Sequence, residues 1–237
     1  MPKIDAGKYG YAYSAFESSF NDARDNGSVA TNQPVSANTL VAQYFRDSGK
    51  GGTNYRINRF FCAFDTSSYS SGYTISNLTF NFRRTTSTTC SPTICFPTFI
   101  VVKSTAQGDA DTDLAVSDFY SSVVFSTAYS SSTNLTSSNA DTSISLNSTA
   151  LTDFGTGLLK VVVVQYGNDY SDSAGMSDLT QKLYANFASG SSGYVPFIEF
   201  DAVASGWGND INGVVNSNIQ RVFPVPVTNI EDVIGVE

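Results

Sequence analysis

The chain has 237 residues, a formal charge of −8, 41% hydrophobic and only 14% charged residues, and no histidine. An acidic chain without a Lys/Arg cluster is a poor match for a phosphate backbone, so no nucleic-acid partner is expected. Without His the Ser-His and Cys-His nucleophile pairs are gone, and the expectation is a protein that is not an enzyme.

With so few charges, the polar surface must come mainly from Ser, Thr and Asn. That mixture suits half-buried strands joined by turns rather than long surface helices. The first residues, MPKIDAGKYGYAYS, contain no apolar core of a secretory signal. No run approaches the roughly 20 apolar residues of a membrane span, so no membrane partner is expected, and either synthesis in a cytoplasm or a leader already removed.

Tyr9, Tyr11 and Tyr13 alternate with small residues and predict a short first strand, while the spacing of Phe16, Phe20 and Ala23 allows one or two helical turns. Residues 41–45 predict a further strand. The Gly-rich piece Ser48-Gly49-Lys50-Gly51-Gly52 lacks the Lys-Ser/Thr of a phosphate loop and reads as a hinge. Residues 1–40 form a first segment packing on a sandwich domain of residues 41–203, followed by a tail, 204–237.

Residues 55–83, YRINRFFCAFDTSSYSSGYTISNLTFNFR, organise the rest. Phe60, Cys62 and Phe64 fall on one face of an extended chain, and Phe61 and Ala63 on the other. Asp65 to Ser68 and Ser70-Ser71-Gly72 supply turn chemistry. Leu78, Phe80 and Phe82 then alternate with Thr79, Asn81 and Arg83, as in a strand with one dry and one wet face. Cys62 reads as an apolar core thiol. Cys90 and Cys95 bracket four residues and suit a small disulfide loop in an oxidising setting; their redox state stays open. Three Cys and no His give too few ligands for zinc.

Residues 97–102 predict a nearly continuous apolar strand. Asp109, Asp111 and Asp113 have the alternate spacing of a calcium loop and are candidate weak calcium ligands, although Leu114 and Tyr120 stand where an EF-hand needs Gly and Glu. A solvated loop leading into a helical turn at 116–120 is the simpler reading; no other cofactor is expected. Residues 126–149 read as Ser/Thr/Asn-rich loops around one strand, 143–147. Asn77, Asn134 and Asn147 head Asn-x-Ser/Thr triplets, which matter only in a glycosylating cell. Residues 158–166, LLKVVVVQY, predict a central strand. Leu179, Leu183 and Phe187 suit either a strand or a helix face, with strand favoured, and residues 194–202 form the last strand.

In the tail, Asn218-Ile219-Gln220-Arg221-Val222-Phe223-Pro224-Val225 recurs 11 residues later as Asn229-Ile230-Glu231-Asp232-Val233-Ile234-Gly235-Val236. Gly and Pro interrupt any helix there. Ile219, Val222, Val225, Ile230, Val233 and Val236 must cover the sandwich or sit on another subunit, and the second is favoured because a repeated apolar tail is an association signal.

Residues 56–82, RINRFFCAFDTSSYSSGYTISNLTFNF, resemble the signature of DNRLRE-type and related carbohydrate-binding-module-like β-sandwiches. That signature has an Arg, an aromatic strand ending in Phe-Asp-Thr-Ser, a turn, then Ile-Ser and an alternating strand. LAVSDFY (114–120), ISLNSTAL (144–151) and YVPFIEF (194–200) extend the likeness. The tail is similar to the Ile-x-x-Val-x-Gly-Val repeats that end many tailed-phage virion proteins. Two departures are Gln165-Tyr166-Gly167-Asn168-Asp169, where the family has Arg-x-x-x-Asp, and Pro224 where Gly is usual.

Together these imply an all-β, jelly-roll-like antiparallel β-sandwich with an extended C-terminal tail. The implied role is a structural protein of a bacteriophage virion, on the head or the tail, present in many copies or as a homo-oligomer beside other virion proteins. The alternative is a carbohydrate-binding module or host-recognition adhesin for surface glycans, with Tyr69, Tyr73, Tyr166, Tyr170 and Trp207 as candidate aromatic platforms. A third class, a carboxylate hydrolase, would draw on Asp109, Asp111, Asp113, Asp169 or Asp172.

Overall fold

The computed structural model describes residues 1–26, 29–32, 39–47, 52–83, 98–134, 141–174, 181–188, 194–205, 221–222 and 225–226. In chain order the strands begin with β1 (Lys3–Asp5), β2 (Lys8–Ser14), β3 (Val29–Asn32), β4 (Thr39–Asp47), β5 (Asn54–Asp65) and β6 (Tyr73–Arg83). Then come β7 (Thr98–Ser104), β8 (Val123–Ala128), β9 (Thr133–Asn134), β10 (Asp141–Ser145) and β11 (Leu158–Gln165). The last are β12 (Gln181–Ala188), β13 (Phe197–Ala204), β14 (Arg221–Val222) and β15 (Val225–Pro226). Two short helices, α1 (Asp118–Ser121) and α2 (Ser148–Phe154), sit between strands, with π-helical turns at Asp22–Asn26 and Tyr166–Tyr170.

The strands form an all-β antiparallel sandwich. The smaller sheet runs β1-β13-β6-β10, and the larger contains nine strands around β12-β4-β5-β11-β7-β8. β5 and β6 do not pair with each other: the turn between them carries the chain from the larger sheet to the smaller. The 12-residue β5 is the frame of the larger sheet. It pairs with β4 through Asn54 to Asn58, with β2 through Asn58 to Ala63 and with β11 through Phe60 to Asp65.

The central strands of the larger sheet, β5, β7 and β11, are buried on both faces, which is why they read as near-continuous apolar runs. Phe60, Cys62, Phe64, Phe99, Val101, Leu159, Val161 and Val163 face the smaller sheet and meet its Leu78, Phe80, Phe82, Ile144, Ile198 and Phe200. Ile57, Phe61, Ile100, Val102, Val162 and Val164 face the other way. They are covered by Phe20, Ala106, Leu114 and Phe119, from the turns and short helix outside the sheets, and by Val123 at the start of β8. Each of these buried Phe side chains contributes about 1.5–3 kcal/mol relative to exposure. Gly7 enters β2 where a Cβ would lie 2.4 Å from the Ala110 carbonyl oxygen, so no larger residue fits that approach.

Several local expectations change. Phe16 is not on the buried stripe with Phe20 and Ala23; it is 56% exposed, because Glu17 bridges to Tyr55 and turns the chain first. Residues 126–149 hold more structure than one strand: β8 and β9 both pair with β7, and β10 ends at Ser145. Asn147 is no strand residue. Its side chain accepts hydrogen bonds from the Thr149 and Ala150 amides and caps α2. The last strand starts at Phe197, after Pro196, and continues to Ala204. Residues 181–188 are strand, paired along β4. The N-terminal segment supplies strands to both sheets rather than packing on them from outside.

Candidate functional site

The strongest polar cluster is buried. Arg59 interrupts the apolar face of β5 between Ile57 and Phe61, so its guanidinium enters the outer core of the larger sheet. There the Nε and one terminal nitrogen donate to the two Asp169 carboxylate oxygens at 2.9 and 2.6 Å. Further donations go to the carbonyls of Phe119 at 2.5 Å and Arg24 at 3.1 Å. Both charged residues are 0% exposed. The guanidinium also lies 4.2 Å from the Phe119 ring centroid and 5.2 Å from that of Phe125. Arg24 completes the group, donating from Nε to the Asp169 carbonyl at 3.0 Å and ion-pairing with Asp25 and Asp172. A forked Arg-carboxylate pair in which every guanidinium nitrogen is hydrogen-bonded is a register device rather than a reaction centre. Asp169, enclosed and occupied on both oxygens, is out of reach of a substrate.

Asp109 and Asp113 are also occupied locally. Asp109 accepts from the Asp111 amide and the Thr112 hydroxyl at 2.9 and 2.8 Å. The Thr112 hydroxyl first, and then the backbone donors, hold its carboxyl below the ordinary value. Asp113 pairs with Lys8 at 3.1 Å. Lys160 ties the same loop down through the carbonyls of Thr105 and Gln107. Among the described residues no three acidic, Cys or His side chains gather as a metal site requires, so Asp109, Asp111 and Asp113 are not brought together as one ligand set. A second ionic group stands at the sandwich rim. Lys103 donates to both Asp153 oxygens at 2.9 and 2.8 Å, and the Tyr129 hydroxyl donates to one of them.

The candidate aromatic platforms are not assembled into one surface. Tyr69 and Tyr73 pack with ring centroids 5.2 Å apart, and Tyr69 leans edge-on against Phe200 in the core between the sheets. Tyr166 and Tyr170 stack at 5.5 Å beyond β11, and Tyr170 packs on the outer core. Trp207 lies outside the described residues, as do Cys90 and Cys95. Of the tail positions, Val222 and Val225 face each other in the β14-β15 ladder. Ile219, Ile230, Val233 and Val236 lie outside the described residues. Cys62 is a free thiol in the core between the sheets, and burial pushes its pKa well up.

The sequence reading missed an open groove on the outer face of the smaller sheet. Its volume is about 360 Å³ and its walls are Asn81, Arg83, Asp141, Thr142, Ser143, Tyr194, Val195, Phe197 and Glu199 with Phe82 beneath. Strand register builds it: Ser143, Asn81 and Phe197 stand side by side on β10, β6 and β13, and Asp141 is opposite Arg83. Tyr194, in the approach to β13, lies with its ring 4.4 Å from the Arg83 guanidinium carbon. The alternation of Thr79, Asn81 and Arg83 signalled an outward face in the sequence, but not what stood beside it.

No protein-family model matches the chain, and a search of curated proteins finds no match. No helix among the described residues is long and apolar enough to cross a membrane.

Proposed function

We propose that the chain is a non-enzymatic structural protein of a bacteriophage virion. Its sandwich is displayed on the particle surface, and its C-terminal repeats dock it on other virion proteins or on copies of itself. One observation carries this reading. β13 is an interior strand, paired on one side with β1 and on the other with β6, so among the described residues both its edges are taken without the tail. The described tail strands, β14 and β15, pair with each other and join neither sheet. A repeated apolar ribbon whose described strands pair only with each other is suited to a neighbour. In a symmetric particle many weak contacts sum, so a small patch per subunit suffices.

Deleting residues 208–237 tests the docking role in an infected-cell complementation. The truncated chain is expected to be made and to remain folded but to be missing from purified particles. Truncated protein in particles at the full-length level would end the case for the tail. A second reading, saccharide binding, is favoured by the groove on the smaller sheet.

A further inference from the structure

We propose that the patch of the larger sheet around Arg56 and Asn58 is the docking site for the acidic repeat of the tail, Ile230-Glu231-Asp232-Val233, of a second copy of this chain. The inference rests on the reading of the tail as a docking ribbon and names the surface that receives it.

Arg56 and Asn58 stand two residues apart on β5 and so share a face. Their cross-strand neighbours are Phe45 of β4, opposite Arg56, and Tyr13 of β2, opposite Asn58. The Arg56 guanidinium carbon lies 4.5 Å from the Tyr13 ring centroid and 5.3 Å from that of Phe16. Phe16, which is exposed, packs edge-on against Phe45 at 5.3 Å. The result is a cation laid against aromatic rings at the surface, with its orientation fixed by them.

This cation lacks the partner its counterparts have. Arg24, Arg59 and Arg83 are each paired with a carboxylate. Arg56 has no carboxylate partner among the described residues, and its Nε is buried without an acceptor. Asn58 is 3% exposed, yet its amide oxygen has no donor. Buried polar atoms are normally satisfied, so two orphans of opposite kind on one strand face mark a site completed by something else.

The two orphans also select what completes it. Arg56 calls for an anionic oxygen, whereas the Asn58 oxygen calls for an N–H. A free carboxylate or a phosphate ester only accepts, but an acidic peptide supplies both, a side-chain carboxylate and a backbone N–H. Apolar residues beside the carboxylate would lie on the rings of Phe16 and Tyr13. The tail carries such a segment. Its first repeat reads Ile219-Gln220-Arg221-Val222 and would set Arg221 against Arg56. The second reads Ile230-Glu231-Asp232-Val233 and offers two carboxylates between two apolar side chains. Charge complementarity therefore chooses the second repeat.

The test is sedimentation equilibrium of the full chain and of charge-reversed variants. Glu231→Lys with Asp232→Lys, which leaves the sandwich untouched, is expected to weaken self-association at least about tenfold. Arg56→Glu alone is expected to do the same, and the three changes together to restore association to within about threefold of the unmodified chain. Should Arg56→Glu fail to fold, Phe16→Ala, a change at an exposed ring, is expected to weaken association at least about fivefold with an unchanged unfolding midpoint. If deleting residues 208–237 abolishes association while Arg56→Glu and Phe16→Ala leave it intact, the ribbon docks elsewhere and this proposal falls alone. If the deletion leaves association intact, the docking reading falls with it. A full chain that stays monomeric, or reversals that restore thermal stability without association, would put the repeat on its own sandwich or nowhere and equally overturn the proposal.

Discussion

Arg59 and Asp169, 110 residues apart in the chain, form a forked ion pair at 2.6 and 2.9 Å with neither side chain reaching water. The pair joins the longest strand of the sandwich to the turn that follows β11, and Arg24 ties the N-terminal π-helical turn to the same point. Three separate stretches are therefore fixed to one another by charge as well as by packing.

Removing one partner leaves the other charged and buried. Asp169→Asn is expected to cost about 3–5 kcal/mol, because Arg59 keeps its charge without a counter-ion. The double change Arg59→Met with Asp169→Leu is expected to cost less than Asp169→Asn alone. Urea unfolding of the three proteins checks this; a loss under about 1 kcal/mol for Asp169→Asn would mean that water reaches the pair.

The rim cluster gives a pH signature. Partial burial works against the Asp153 charge, but the hydrogen bonds from Lys103 and Tyr129 and the Lys103 charge outweigh it and hold the carboxyl below the ordinary value of 3.8. A carboxylate with a depressed folded pKa stabilises above its unfolded pKa, and that contribution is lost as pH falls through the folded value. Wild type is therefore expected to lose more stability than Asp153→Asn as pH is lowered from about 5 through the acid range. Unfolding midpoints at stepped pH measure it, and parallel acid limbs would count against the coupling.

Asn147 holds α2 by both ends of its amide: the oxygen accepts from Thr149 and Ala150, and the nitrogen donates to the Ala128 carbonyl at 2.8 Å. Asn147→Ala is expected to cost about 1–2 kcal/mol. Asn147→Asp, which keeps the accepting oxygens, should lose less. Equal losses in denaturant titrations would show that the cap contributes nothing.

Cys62 is enclosed between the sheets and its thiol is held protonated by burial. Maleimide labelling followed by peptide mapping is expected to leave Cys62 unmodified in buffer and to label it fully in denaturant. Rapid labelling of the folded chain would contradict the packing described for β5.

The sequence is most legible where one physical rule dominates. Period-two alternation in β6 and continuous apolar runs in β7 and β11 each specify strands buried on the faces they now bury. It is least legible where partners are distant or chemistry is local. Arg59 stands among apolar residues, which is itself a signal, but nothing in Gln165 to Asp169 names its partner. Residues 148–154, Ser-Thr-Ala-Leu-Thr-Asp-Phe, are modest helix formers, and their helix rests on the Asn147 cap and on burying Ala150 and Phe154. The groove escaped notice because Tyr194 and Phe197 acquire their neighbours only when β13 pairs with β6.

Sedimentation and thermal unfolding of the full chain beside a chain lacking residues 208–237 test the division into a finished sandwich and a docking ribbon. The two are expected to unfold within about 2–4 °C of each other, a change worth no more than about 1 kcal/mol in a body of this size, with only the full chain associating. A truncated chain that melts far lower, beside a full chain that stays monomeric, would place the ribbon inside its own sandwich and contradict the account.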